Sequence, residues 1–251
     1  MIATVPIAPR LIKLCVIVLC FGVWEILSRL THLLVFPGLV TLAHYLPSVL
    51  PHLLLVDVNH TLQRVLLAYA IGTVFGISMG ACLYSLGSVG KGFDPIIDFS
   101  RSVPGTAMFP FFLALIGLGT TSVLLPATWV VFWISLFASR EELTNAASQR
   151  LNYLKRHNAS WWFVLKHLHV HALARSMFTN ARLVISLALA VIVAMEMLAG
   201  PNSGLGYFIK IKEETPAYEE MVIGILVAGV IGYILNSFLR WLESRLLNDV
   251  I

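Results

Sequence analysis

Charge is scarce in this sequence. Only 12% of its 251 residues are Asp, Glu, Lys or Arg, whereas 58% are hydrophobic and mean hydropathy is +0.85. A soluble domain carries about twice that share of charge, ~25%. The charges also cluster, leaving long uncharged gaps, which excludes a soluble globular domain and points to an all-α integral membrane protein with several spans. Cysteine is nearly missing too. Cys15, Cys20 and Cys82 fall inside apolar runs, and their odd number fits no disulfide framework, so they read as lipid-facing or packed thiols. No internal repeat or low-complexity segment is evident. No nucleophile–base pair stands out either, which argues against an enzyme.

A transmembrane helix needs ~20 apolar residues to cross ~30 Å of hydrocarbon. The first such run follows Arg10 and Lys13 and is closed by Glu25 and Arg29 without a small-residue cleavage site, so it reads as an uncleaved span at roughly 11–29. A second lies at 62–86. Ser102 to Ser139 carries no charge at all; as one helix it would be ~57 Å long. The turn signal "GLGTTS" near its middle predicts a helical hairpin, with arms at 103–118 and 122–139 and the first arm broken by Pro104 and Pro110. Spans at 178–199 and 221–240 complete six.

Leu33 to Val56 is also uncharged. Pro37, Pro47 and Pro51 argue against a regular helix there, and His44 and His52 would be costly in lipid. With six spans, 13 of the 17 Lys and Arg residues fall on one side and only Arg29, Arg64, Lys210 and Lys212 on the other. By the positive-inside rule both termini are then cytoplasmic. A seventh span would expel Arg10 and Lys13, so 33–56 is expected as a short amphipathic segment along the outer surface.

The most basic stretch, Arg140 to Arg182, carries seven Lys and Arg against Glu141 and Glu142. Within it Trp161, Leu165 and Leu168 recur at helical spacing while Lys155, Arg156 and Lys166 lie elsewhere on the wheel. Topology alone needs only a few basic residues, so this cytoplasmic helix either lies on lipid or docks into another protein. "HLHVH" (His167 to His171) puts at most two imidazoles on one helical face, too few for zinc, and no metal site is expected. "GSVGKGF" (Gly87 to Phe93) lacks the phosphate-loop spacing and follows a membrane span, so it is a turn. Glu196, inside the fifth apolar run, faces either a cavity or a buried partner group. Glu25 and Arg29, at i and i+4, are expected to pair with each other.

Four strings, in order along nearly the whole chain, resemble the permease subunits of bacterial ABC importers of the nitrate, sulfonate, taurine and bicarbonate type. They are "VWEILSRL" (Val23 to Leu30), "HTLQRVLLAYAIGTVFGISMGACLY" (His60 to Tyr84), "FDPIIDFSRSVPGTAMFPFFLALIGLG" (Phe93 to Gly119) and "AMEMLAGPNSGLGYFI" (Ala194 to Ile209). The third is similar to the family's D-P-x-x-x-x-x-R-x-x-P segment. The fourth is similar to its A-E…G-L-G-x-x-I signature, with Met195 inserted between the Ala and the Glu.

The resemblance implies a single permease domain over 1–251, in the cytoplasmic (inner) membrane, that forms a translocation path for a small solute. It implies as partners cytoplasmic ATP-binding subunits carrying ATP and Mg, a second permease copy or paralogue, a periplasmic solute-binding protein and membrane lipid. No nucleic acid and no cofactor of the chain's own are expected. A coupling segment over 140–176 would insert into the ATPase. The family's E-A-A-x-x-x-G positions fall on Asn152, Tyr153, Leu154 and Asn158, followed by Ala159, Ser160 and Trp161, so the acid, both alanines and the glycine have departed from the pattern. A divergent ATPase, a second permease keeping the standard motif, or lost coupling would each account for that. The expected pathway residues are Pro104, Met108, Phe109 and Glu196. Two rival readings are a secondary transporter driven by an ion gradient, short of carboxylates in its spans, and a membrane scaffold that recruits a cytoplasmic partner.

Overall fold

The computed structural model describes residues 9–31, 33–156, 170–199 and 202–248, and among these every regular element is helical. Helix α1 (Pro9–Thr31) is followed by α2 (Leu39–His52), which passes through a π turn at Leu53–Val58 into α3 (Asn59–Ser85). Short helices α4 (Ser88–Lys91) and α5 (Asp94–Ser102), a 3-10 turn at Gly105–Met108 and α6 (Phe109–Ile116) come next. Then follow α7 (Thr120–Arg156), α8 (Val170–Ala199), α9 (Leu205–Glu214) and α10 (Tyr218–Asn248). Five helical stretches are long and apolar enough to cross a membrane, or six if the bent pair Ser88–Ser102 and Gly105–Ile116 makes one span.

Small residues decide how the bundle assembles. In lipid the hydrophobic effect does not drive helices together, so close van der Waals contact has to. Gly72, Gly76 and Gly80 form a stripe along α3 that lies directly on α7. A Cβ at Gly72 would stand 2.6 Å from Val131 Cβ, at Gly76 2.5 Å from the Phe132 carbonyl oxygen, and at Gly80 2.6 Å from the Leu136 carbonyl oxygen. The paired numbers rise together, so α3 and α7 run parallel. The chain from Ser85 to Thr120 must therefore travel back to the other end of the bundle. The bent pair makes that return, turning through 88°.

Around this seam Val65 and Ala68 of α3, Val123, Ala127 and Val131 of α7, and Val184, Ala188 and Ile192 of α8 form the main core, with Phe109 of α6 added. Helix α10 runs antiparallel to α8, tied by Arg182–Glu243 at 3.2 Å and by Ser186 with Asn236. A second core joins Leu42 and Val49 of α2 to Leu205 of α9 and Val222 and Ile223 of α10. By contrast, α1 buries none of its apolar length. It is held at its end, where Trp24 Nε1 donates to the Pro37 carbonyl at 3.1 Å, Ser28 Oγ to the Phe36 carbonyl at 2.9 Å, and Glu25 caps the Leu39 N–H at 2.8 Å. Glu25 also pairs with Arg29 at 2.8 Å. The "VWEILSRL" string is thus a clamp on the α1–α2 turn. Cys15, Cys20 and Cys82 are free thiols exposed on the helix surfaces.

Three expectations from the sequence change here. The stretch 33–56 is not an irregular segment, because Leu39–His52 is helical through both Pro47 and Pro51 and continues into α3 over 47 residues. A π turn, Leu53–Val58, follows Pro51 closely within that rod. At ~1.5 Å per residue the whole rod reaches ~70 Å, so much of it lies outside the hydrocarbon or runs steeply tilted. The third span breaks at Pro104, where Val103 and Pro104 are extended, but not at Pro110, which sits in the first turn of α6, where a missing N–H is harmless. Finally, α7 does not stop at Ser139. Its 37 residues reach ~55 Å, so it projects well beyond a ~30 Å hydrocarbon layer.

Replacing Gly76 by Leu is expected to push α3 off α7 and lower stability by about 1–3 kcal/mol. Gly22→Ala, in open space on α1, keeps stability or raises it by up to about 1 kcal/mol. Thermal midpoints of the two variants in detergent check this.

Candidate functional site

The polar residues of this apolar bundle converge at two places. The first is built from the π turn and the α3 helix that continues it. Asp57, Thr61 and Arg64 sit at i, i+4 and i+7, so one helical face carries a carboxylate, a hydroxyl and a guanidinium. All three are buried, at 4%, 0% and 4% exposure. Opposite them is Glu196, fully enclosed at 0%. Arg64 Nη1 donates to Glu196 Oε1 at 2.6 Å and also to the Ser203 carbonyl at 2.8 Å, while Nη2 reaches Ser203 Oγ at 3.2 Å. Thr61 Oγ1 donates to Glu196 Oε2 at 2.8 Å.

The same groups satisfy the start of α9. Three successive N–H groups there have no carbonyl of their own helix to bond. Gly204 N–H donates to Asp57 Oδ1 at 3.0 Å, Leu205 N–H to Thr61 Oγ1 at 2.8 Å, and Gly206 N–H to Glu196 Oε2 at 3.0 Å. The acidic groups also complement the positive end of the helix. His52 Nδ1 stands 3.6 Å from the other oxygen of Asp57. Both glycines of "SGLG" are required. Gly204 has φ +117, and a Cβ on it would come within 2.4 Å of the Glu196 carboxyl; one on Gly206 would come within 2.1 Å of the Val193 carbonyl oxygen. The A-E…G-L-G string is therefore one folded unit, a carboxylate and the helix start that it caps. Beyond it Lys210 faces Glu213 and Glu214, and the hydrogen bond to Glu213 holds its ammonium above the ordinary lysine value. Lys212 bridges to Glu220 at 2.8 Å.

The second convergence lies at the opposite end, where α5 meets α7. Asp94 pairs with Arg140, Arg101 bonds Asp98 at 3.1 Å, and the Arg101 guanidinium lies 4.0 Å from the Phe137 ring centre. Val89, Phe93, Ile96 and Phe99 form an exposed apolar stripe on the other side of α4 and α5, suited to the lipid interface.

Of the residues singled out from sequence, Glu196 is turned onto Arg64 rather than toward an opening. Phe109 is 8% exposed and packs into the main core; Met108 is half-buried, and Pro104 is exposed at the bend beside exposed Thr106 and Ala107. Asn152, Tyr153 and Leu154 continue α7, while Asn158, Ala159, Ser160 and Trp161 lie outside the described residues. Most of the His167–His171 run lies outside them as well. Among the described residues no group of His, Cys, Asp or Glu is arranged to hold a metal. Sequence reading missed the role of Asp57, Thr61 and Arg64. Their helical spacing, at the head of a long apolar run, was the available signal.

Removing Arg64 strands a buried carboxylate. Arg64→Met is expected to cost about 3–5 kcal/mol. Adding Glu196→Gln recovers part of that, because Gln still accepts from Gly206 and Thr61. Thermal unfolding of the two variants side by side checks the order.

Comparison with known proteins agrees with this architecture. Residues 72–248 match the family described as binding-protein-dependent transport system inner membrane component. The nitrate import permease protein NrtB of Synechocystis is 26% identical, over 75% of this chain and 68% of that one. The taurine transport system permease protein TauC of Escherichia coli is 27% identical, over 74% and 67%. The bicarbonate transport system permease protein CmpB of Synechococcus elongatus is 22% identical, over 76% and 68%. Among solved structures, an inward-facing form of the MetNI methionine ABC transporter superposes with a TM-score of 0.60, at 16% identity, over 76% of this chain and 93% of that one. The chain belongs to the binding-protein-dependent transport system inner membrane component family: it is the membrane-spanning permease subunit of an ATP-driven importer, with ATP hydrolysis on a separate subunit.

Proposed function

We propose that this permease pairs with a second copy or a paralogue to enclose a path for a small oxyanion or sulfonate, delivered by a solute-binding protein. Both termini face the cytoplasm. The basic end of α7, with the segment up to about residue 176, is the part gripped by an ATP-binding subunit, which alone carries ATP and Mg. The substrate class is supported by the relatives, named for nitrate, taurine and bicarbonate.

The observation that carries the coupling reading is the length of α7. A helix of 37 residues exceeds what one crossing needs by more than a dozen residues, and the excess begins at Arg140, where the basic cluster begins. Such a rod moves as a unit: force applied near Tyr153 is felt at Val131, on the glycine seam of α3. The bend at Val103–Pro104 is the place where irregular backbone meets membrane depth, which is tolerated only against protein or a water-lined cavity. Its exposed residues Pro104, Thr106 and Ala107 are assigned to the pathway, with Met108 behind them; Phe109 and Glu196 are assigned to the framework. In the departed motif, Tyr153 and Leu154 would demand a wider cleft on the ATPase than alanines do.

With the native cysteines replaced, a single Thr106→Cys in the assembled transporter is expected to change its maleimide labelling rate when nucleotide is trapped on the ATPase. An unchanged rate would remove Thr106 from the pathway. Competition for ATP-driven uptake by nitrate, bicarbonate and taurine checks the substrate class.

A further inference from the structure

We propose that α5 and the projecting end of α7 move as one body, clasped by Arg140–Asp94 and by Arg101 on Phe137, and that this clasp delivers the motion of α7 to the bend at Val103–Pro104. The inference rests on the reading that the ATPase grips the α7 extension.

Three observations carry it. Near the membrane, α5 meets α7 through buried Ile97, which packs with Leu83 and Leu136. Farther out that packing gives way to a cleft of ≈ 360 Å³, lined by Lys91, Asp94, Asp98, Arg140, Glu141 and Thr144. Across this gap the contact is polar, the Arg140–Asp94 pair. The Asp94 side chain is 53% exposed and that of Arg140 13%, so the pair opens to solvent on its carboxylate side, where an ion pair adds only modestly to fold stability. The stability of the chain therefore does not explain why two elements 46 positions apart are tied there by opposite charges.

The clasp also has a definite load. Helix α5 ends at Ser102, immediately before extended Val103 and Pro104. The next residue, Gly105, touches α7 again, for a Cβ there would stand 2.4 Å from Val130 Cγ2 and 3.1 Å from the Pro126 carbonyl oxygen. The bend is therefore braced on α7 at two levels, Pro126–Val130 and Phe137–Arg140. Cutting the outer brace leaves the bend following only the inner one. Arg101 adds direction, since its guanidinium is fixed between Asp98 on its own helix and the face of Phe137 on the other. Asp94, Arg101 and Arg140 are thus positioning residues and touch no solute in this assignment.

The test uses the complete transporter in liposomes, with Thr106→Cys as reporter, and reads ATP hydrolysis alongside maleimide labelling with and without trapped nucleotide. Asp94→Asn and Arg140→Gln are each expected to shrink the nucleotide-dependent change in labelling roughly two- to thirtyfold while ATP hydrolysis continues. The exchange of charges, Asp94→Arg with Arg140→Asp, restores it, which a merely misfolded variant could not do. Single variants that keep the full labelling change, or an exchange that fails to restore it, overturn the clasp. A Tyr153→Cys cross-link to the ATPase is read in the same samples. If no cross-link forms, the coupling reading itself fails; a cross-link with an unaltered labelling change sinks the clasp alone.

Discussion

The buried pairing of Glu196 with Arg64 is the constraint on which the rest of one end of this protein depends. A carboxylate enclosed in an apolar bundle is tolerable only when its charge and its lone pairs are answered, and here a guanidinium, a hydroxyl and a backbone N–H answer them together. That requirement dictates the neighbourhood. It fixes the rotation of α3, since Asp57, Thr61 and Arg64 must share a face. It fixes the entry of α9, whose first N–H groups close the network, and it forbids a side chain at Gly204 and Gly206. The pair therefore sets the geometry of a junction among α3, α8 and α9, and the lysine–glutamate pairs beyond it inherit a defined position.

At the other end the logic is inverted. Contacts there are polar, partly exposed and bridged over a cleft, so they orient elements without welding them. An importer needs both kinds of joint. In the proposed orientation, the side that receives a delivered solute needs a stable rim, whereas the side that answers nucleotide needs elements free to change place together. The division follows from the amino acids: desolvated charges at 64 and 196, and at 94 and 140 a pair whose carboxylate stays open to solvent.

Much of the architecture was legible beforehand, and the reasons are specific. Charge-free runs marked the spans because a charge in hydrocarbon is costly at any position. The glycines at four-residue spacing in α3 went unread as a helix contact, because the sequence does not say which helix they meet. The clamp of Trp24, Glu25 and Ser28 on the next turn could not be read, because it depends on where Pro37 and Leu39 come to lie after the chain reverses. The continuous helix through Pro47 and Pro51 was hidden for a related reason. Proline lowers local helix preference, but tertiary contacts of Leu42 and Val49 with α10 outweigh it. Glu196 could be recognised as buried, but whether it faced a cavity or a partner group was open. Its partner, 132 positions away, could not be identified from spacing.

The glycine seam has a mechanical meaning beyond adhesion. Where two backbones touch without intervening side chains, there is no soft layer to shear, so sliding along the seam or parting across it would cost every contact at once. Rolling is different, because turning about the contact line keeps most of those contacts while swinging whatever is attached far from it. The line from Gly72 to Gly80 is in effect an axle. A small turn about it would leave Arg156 near the line, because α7 runs along it, and would carry instead what projects sideways from α7, such as α5 and the bend at Val103–Pro104.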